Sequence, residues 1–134
     1  MSLIRVSEGA SLALHAMALI AADQSERLKV KDLSEKLGAS RAHMAKVFQK
    51  LAASGLVRSI RGPAGGFELN RPPEEISFLA ILEVIDGKIE LGGCPFDRKV
   101  CRFESCIFRD EVTRISRDIY EMYKSIKLSD FIKD

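Results

Sequence analysis

The sequence predicts a mainly α-helical fold with a small β-hairpin wing, in which a winged helix-turn-helix is followed by a long C-terminal dimerisation helix. Residues 31–54 read as two short amphipathic helices joined by a tight turn. Residues 56–69 read as a hairpin, and apolar residues near the C-terminus recur at spacings of four and three. We expect residues 1–73 to form the winged helix-turn-helix DNA-binding domain and residues 74–134 to form the dimerisation and sensor region.

The N-terminal half begins with a helix expected over residues 4–21, where apolar side chains recur at helical spacing. Residues 28–30 are expected to add a short third strand to the wing. Gly38 supplies the tight turn of the helix-turn-helix, and Ser40 is a predicted N-cap for its second helix. The predicted buried face of that second helix consists of Met44, Val47, Phe48 and Leu51.

The opposite face of this second helix is polar and basic, which suits a major-groove reader but is equally typical of a solvated surface. The hairpin after it favours DNA binding, because the glycines of its turn RGPAGG allow close approach to phosphates or a minor groove. The expected DNA contacts are Ser40, Arg41, Ala42, His43 and Lys46 as reading positions, Lys50 and Arg58 as phosphate contacts, and Arg61 with Gly62 at the wing tip.

The charge distribution supports this expectation. The net charge of the whole chain is only +2, but residues 27–71 contain ten basic and three acidic residues, a net charge of +7. The rest of the chain carries a net charge of −5. A basic segment in an otherwise acidic chain is typical of a nucleic-acid-binding module.

The C-terminal half begins after Pro72 and Pro73, with a helix capped by Ser77 and expected to reach about residue 85. A long helix is expected over residues 106–127. Its apolar positions form a heptad seam that favours packing against the same helix of a second copy, although an amphipathic helix lying on its own domain is the alternative. The seam consists of Phe108, Val112, Ile115, Ile119, Met122 and Ile126.

The loop over residues 92–106 holds all three cysteines, Cys94, Cys101 and Cys106. An odd number of cysteines speaks against a framework of structural disulfides. Three interpretations remain open: ligands of an iron-sulfur cluster, ligands of zinc with a fourth donor, or a redox-active pair. Buried structural thiols are a further alternative, but loops rich in Gly, Pro and charge are poor places to bury them.

The run SRAHMAKVFQKLAASGLVRSIRGPAGGFEL resembles the DNA-binding core of the bacterial Rrf-type regulators, the IscR/NsrR/CymR-like family. The wing sequence RGPAGGF is its most specific part, and the resemblance extends over nearly the whole chain. It implies a homodimeric winged-helix transcription factor, expected to be a repressor, that binds a double-stranded DNA operator. It also implies dimerisation through the C-terminal helix.

For one branch of this family the resemblance also implies a two-iron or four-iron cluster, which exposure to air during purification can remove. Cluster-binding members carry three evenly spaced cysteines in this loop, whereas here the spacing is C-x6-C-x4-C and Cys101 lies one position late. In one branch a His follows the third cysteine by three positions, where this chain has Arg109, which cannot serve as a ligand. Another branch uses an acidic residue of the first helix, and Glu8, contributed by the partner subunit, stands at that place.

Other functional classes fit the sequence less well. An enzyme is not expected, because RGPAGG lacks the Lys-Ser/Thr ending of a P-loop and neither His lies in a recognisable acid-base pair. The chain has no apolar run of membrane-spanning length, so no membrane partner and a cytoplasmic location are expected. The alternatives are a protein-binding winged helix and, within regulators, a thiol-redox sensor that uses Cys101 and Cys106 without a cluster.

Overall fold

The computed structural model describes residues 4–25, 27–91 and 101–132, which contain five α-helices and one antiparallel hairpin. The elements are α1 (Glu8–Ala22), α2 (Val30–Leu37), α3 (Arg41–Ala53), β1 (Val57–Ile60), β2 (Gly66–Leu69), α4 (Phe78–Asp86) and α5 (Glu111–Ser125), with short 3-10 turns at Pro73–Glu75 and Leu128–Phe131. The predicted mainly helical class with a hairpin wing is therefore confirmed.

The hydrophobic core lies between α1, α3, α4 and the turn that follows α5. It joins Met17 and Phe48 with Ile76, Ile81 and Leu128 in one cluster of buried side chains. Residues on both sides of position 73 therefore share this core. The division into a DNA-binding unit and a sensor unit remains a prediction about function.

The helix-turn-helix forms where the sequence predicts it. Gly38 adopts a left-handed conformation with φ of 64°, and its N–H donates to the carbonyl of Ser34 at the end of α2. The Ser40 hydroxyl accepts from the N–H of His43 at 3.0 Å and so caps α3. The four predicted core residues of α3 are all buried: Met44, Val47, Phe48 and Leu51.

The wing is the hairpin of β1 and β2, in which Arg58 lies opposite Glu68. Its inner face is anchored by Phe67, whose ring centroid lies 4.4 Å from that of Phe48. The predicted third strand over residues 28–30 is wrong beyond one bridge between Leu28 and Phe67. The chain turns into α2 there, because the carboxylate of Asp32 accepts from the N–H of Lys29 at 3.0 Å and starts a helix.

The first helix begins at Glu8, four residues later than predicted. Ser7 is its N-cap: the hydroxyl accepts from the N–H of Ala10 at 3.0 Å and donates to Asp86 at 2.8 Å. A capping residue has non-helical backbone angles, so the residues before it leave the helical path. The bond to Asp86 also ties the start of α1 to the end of α4.

The last helix is shorter than the predicted span of residues 106–127. Arg109 and Asp110 have positive φ angles of 55° and 60°, so the helix cannot extend back to the third cysteine. Beyond α5 the chain returns toward α4. The Ile126 carbonyl accepts from Phe78 at 2.9 Å, and the N–H of Leu128 donates to Ile76 at 3.0 Å.

Candidate nucleic-acid interface and cysteine segment

The outer face of α3 is available for a partner because its inner face is fixed in the core. Four α3 residues predicted to contact DNA are exposed, and so is Gln49 on the same face: Arg41, Ala42, Lys46 and Lys50. The capping residue Ser40 is exposed as well. The first turn of α3, which reaches base edges in helix-turn-helix proteins, is therefore capped by Ser40 and exposes the side chains of Arg41 and Ala42.

His43 differs from the other predicted reading residues because it is half-buried. A Cβ placed on Gly9 of α1 would lie 3.6 Å from His43 Nε2 and 3.4 Å from the Ile85 side chain. The imidazole therefore lies beside the first turn of α1 at Gly9. Of the predicted reading residues, His43 is the least exposed.

Lys50 reaches from α3 to the same end of α4, where its ammonium donates to the carbonyl of Ile85 at 3.2 Å. A lysine ammonium has three donors, so two remain for a phosphate. This bond cannot be read from the sequence, because its acceptor is a backbone carbonyl and leaves no mark on the side-chain pattern.

The wing tip is exposed from Arg61 to Ala64, and Gly62 has a φ of 104° that a larger residue would adopt only with strain. Gly65 is required for a different reason. A Cβ there would lie 2.2 Å from the carbonyl oxygen of Ile60, so any side chain would force the turn open. The tight tip therefore keeps Arg61 and Gly62 exposed together at the end of the hairpin.

Arg58 forms an ion pair with Glu68, the residue opposite it on β2. Glu68 also accepts from Arg27, whose Nε lies 3.2 Å from the second carboxylate oxygen. The hydrogen bonds from Arg58 and Arg27 hold the pKa of Glu68 below its usual value. The hairpin register could have revealed the first pair, but Arg27 lies 41 residues from Glu68 in the chain, and no local pattern predicts that contact.

A concave surface of about 470 Å³ lies between the wing tip, the α1–α2 linker and α2. Its lining includes the cations Arg27, Lys29 and Lys36 and one carboxylate, Asp32. This surface continues the wing tip toward α2, and no local sequence pattern marks it.

The cysteine segment, residues 92–106, is described only from residue 101 onward. Cys94 lies outside the described residues, whereas Cys101 and Cys106 are exposed free thiols. Glu8 is exposed in the first turn of α1. Residues 4–25, 27–91 and 101–132 of the single chain do not bring three His, Cys, Asp or Glu side chains together into a metal site. The donor chemistry of the two thiols suits an iron-sulfur cluster, whose usual ligands are Cys thiolates.

Helix α5 packs against α4 but leaves its apolar seam open. All fifteen of its residues are described, and none of them is buried in the single chain. Ile115 and Met122 keep 47% and 45% of their surface exposed, and Phe108 before the helix keeps 38%. An apolar stripe of this extent on a helix face is typical of an interface.

Comparison with known proteins shows the family to which this chain belongs. A model of the Rrf2 family, described as an iron-dependent transcriptional regulator, matches residues 6–134. The chain belongs to the Rrf2 family. It is therefore a transcriptional regulator with a winged-helix fold and not an enzyme, and the predicted resemblance is confirmed.

Two curated proteins and one solved structure illustrate the similarity. A protein of Azotobacter vinelandii described as an HTH-type transcriptional regulator, ORF2, is 30% identical over 90% of this chain and 70% of its own length. The HTH-type transcriptional regulator IscR of Aliivibrio salmonicida is 34% identical over 62% of this chain and 45% of its own length. The structure of CymR, the global cysteine regulator of B. subtilis, superposes with a TM-score of 0.80 at 25% identity, covering 96% of this chain and 95% of that one.

DNA-binding regulation is the activity that the family membership, the relatives and the exposed basic face share. Helices long and apolar enough to cross a membrane are absent from the described part of the chain.

Proposed function

We propose that this chain acts as a homodimeric, sequence-specific repressor whose affinity for a DNA operator is set by the state of its cysteine segment. The observation that carries the proposal is the arrangement of α3 and the wing. The inner face of α3 is fixed in the core, while its basic outer face and the wing tip are exposed side by side.

The proposed DNA contacts keep their predicted roles. The residues at the start of α3 read base edges, Lys46 and Lys50 contribute positive charge beside them, and Arg61 with Gly62 enters a minor groove or meets a phosphate. Arg58 is a phosphate contact in its ion-paired state with Glu68. His43 contributes through its fixed position against Gly9.

The proposed dimer forms through α5. Its open seam would meet the same seam of a second copy, which would bury Ile115 and Met122 in both protomers and present two reading helices to the two halves of an operator. Dimeric helix-turn-helix proteins bind half-sites separated by about one helical turn of DNA. Because the proposed dimer is two-fold symmetric, its operator should be a palindrome.

Cys94, Cys101 and Cys106 are the proposed ligands of an iron-sulfur cluster, with Glu8 of the partner subunit as the fourth. When bound, such a cluster supplies one-electron redox chemistry and sensitivity to oxygen and nitric oxide. The chain contributes exposed thiols in a segment without regular structure from residue 101 to residue 106, which can adjust to the late position of Cys101.

The end of α4 connects this segment to the reading helix. The chain leaves α4 at Gly87, and the two residues before it bond to α3 and to the cap of α1. The carbonyl of Ile85 accepts from Lys50 of α3, and the carboxylate of Asp86 accepts from Ser7, the N-cap of α1. A displacement of the segment after Gly87 would pull on both bonds. The tilt of α3 and the start of α1 would then change together.

A thiol switch without a cluster is the alternative, and the exposure of Cys101 and Cys106 favours it. Formation of a disulfide would remove two electrons and two protons from the thiols, which a peroxide or a small disulfide would accept. The same end of α4 would transmit that change.

Visible absorption of protein purified without oxygen, with iron and sulfide assays, tests the cluster proposal. The wild type should be brown with equal amounts of iron and sulfide, and Cys101→Ser should lose most of both, whereas the control Ser105→Ala in the same segment should keep them. A colourless wild type without iron or sulfide, even after reconstitution with both, would overturn the cluster and leave the thiol switch.

A further inference from the structure

Three charged side chains from separate parts of the chain meet beside the wing. Arg27 of the α1–α2 linker donates from Nε to one oxygen of Glu68 at 3.2 Å, and Arg58 of β1 donates from Nε to the other oxygen. One carboxylate therefore holds two guanidinium groups and leaves a net positive charge.

Both arginines keep donors for an external anion. A guanidinium has five N–H donors; Arg58 uses its Nε, and Arg27 uses its Nε and one contact from Nη1 to the carbonyl of Ala64 at 3.4 Å. The side chains of Arg58 and Arg27 remain 59% and 39% exposed, compared with 25% for Glu68. The carboxylate thus lies inside the pair, and the free guanidinium edges face solvent.

The linker that carries Arg27 is fastened to the wing. The Leu28 carbonyl accepts from the N–H of Phe67 at 2.9 Å, and the Lys29 ammonium donates to the carbonyl of Pro63 at 3.4 Å. A Cβ on Gly66 would lie 2.9 Å from the carbonyl oxygen of Leu28, so the two backbones are in close contact. Arg27 therefore keeps its position relative to the wing.

We propose that Arg27 and Arg58, held by the positioning residue Glu68, form a clamp for one DNA backbone phosphate beside the wing. This inference rests on the proposed DNA-binding function and adds two residues, Arg27 and Glu68, to it. Paired guanidinium edges match the geometry of a phosphate, and a clamp fixed in advance loses less conformational entropy on binding.

A contribution to stability alone does not explain why Arg27, Arg58 and Glu68 are brought together. Exposed ion pairs contribute little to the free energy of folding, because water screens the charges and the side chains lose conformational entropy. The hydrogen bonds from both arginines lower the pKa of Glu68, which shows that the charged carboxylate is the form that holds them. The adjoining concave surface adds the charges of Lys29 and Lys36.

The salt dependence of DNA binding tests the arginine clamp. Duplexes selected from a randomised pool by the wild type serve as the specific probe, and fluorescence anisotropy gives the dissociation constant at several KCl concentrations. Arg27→Gln should reduce the slope of log affinity against log salt by about 0.9, because Glu68 then neutralises the remaining Arg58 and the phosphate contact is lost. Arg117→Gln, which removes an exposed arginine of α5 outside the seam, should leave the slope unchanged.

Substitution of Glu68 distinguishes positioning from simple charge repulsion. Glu68→Ala should weaken binding to the selected duplex by roughly three- to tenfold, because the arginines lose their fixed geometry, while binding to a mixed-sequence duplex stays equal or tightens. The control Glu75→Ala removes an equal charge from an exposed site after the wing. The affinities of Glu75→Ala for the selected duplex and for the mixed-sequence duplex should change in parallel.

Two results would overturn the clamp: Arg27→Gln with the same salt slope as Arg117→Gln, or Glu68→Ala with tighter binding to both duplexes. These results differ from a failure of the proposed function itself. In that case the wild type would bind no duplex in a salt-dependent manner. Arg27→Gln leaves the hairpin core untouched, so its result stands even if Glu68→Ala does not fold.

Discussion

Replacement of Ile115 in the seam of α5 should separate the proposed dimer into folded monomers. Ile115 keeps 47% of its surface exposed in the single chain. Full burial of an isoleucine side chain contributes about 1.5–3 kcal/mol, so covering the remaining half contributes about 1 kcal/mol per copy. A two-fold interface uses the residue twice, which gives about 2 kcal/mol for Ile115→Ala and a roughly 30-fold higher dissociation constant.

Ile115→Asp should act more strongly, because two carboxylates would also lose water at the interface. At about 1–3 kcal/mol for each of the two carboxylates, added to the lost burial, the total is at least about 4 kcal/mol, which raises the dissociation constant by at least about 1,000-fold. Sedimentation velocity over a range of protein concentrations measures this shift. Circular dichroism should show unchanged helix content, since position 115 is already half-exposed in the single chain.

Thr113→Asp is the matched control, because it adds the same charge to an exposed position of α5 outside the seam. It should leave the dimer intact. If Ile115→Asp and Thr113→Asp sediment alike as dimers, α5 does not form the interface and the proposed placement of the two reading helices is wrong.

Three further predictions concern α3 and the wing. Ser40→Ala removes the cap of α3 and should lower the free energy of unfolding by about 1 kcal/mol, measured by urea denaturation, whereas Ser40→Asp should restore it. Arg61→Ala should weaken binding to selected duplexes and lower the salt slope by about 0.9, and an unchanged affinity and slope would remove Arg61 from the contact set. The pKa of Glu68 is lowered in the folded chain, so its ion pairs should stabilise the fold at pH values above its unfolded pKa. That stabilisation should be lost as the pH falls through the folded pKa. The free energies of unfolding of wild type and Glu68→Gln, measured by urea denaturation against pH, should therefore converge at acid pH and diverge above it.

Local patterns predicted α3 and the wing correctly. The cap at Ser40 and the four buried residues of α3 lie within twelve consecutive positions, and the wing depends on neighbouring glycines and alternating strands. Both elements are specified by residues close together in the sequence. The helix ends are not, because Ser7 is held by Asp86 from 79 residues away.

The errors at α5 and the missed contacts have the same kind of cause. Phe108 fits the apolar seam of a helix, but the left-handed backbone of Arg109 and Asp110 interrupts the helix there. The hydrophobicity of side chains does not report backbone angles. The contact between Arg27 and Glu68 requires the linker and the wing to be brought together by the fold.

The central claim, that the cysteine segment controls DNA affinity, is tested most directly by one comparison. The affinity of anaerobically prepared wild type for a selected duplex should be measured by anisotropy, first with the cluster loaded and then after iron has been removed by a chelator in the presence of reductant. The triple replacement of Cys94, Cys101 and Cys106 by serine serves as the control that cannot respond. We predict that removal of iron changes the wild-type affinity at least tenfold (about 1.4 kcal/mol). The same treatment should leave the affinity of the triple variant constant. Equal affinities of loaded and stripped wild type would contradict control by a cluster.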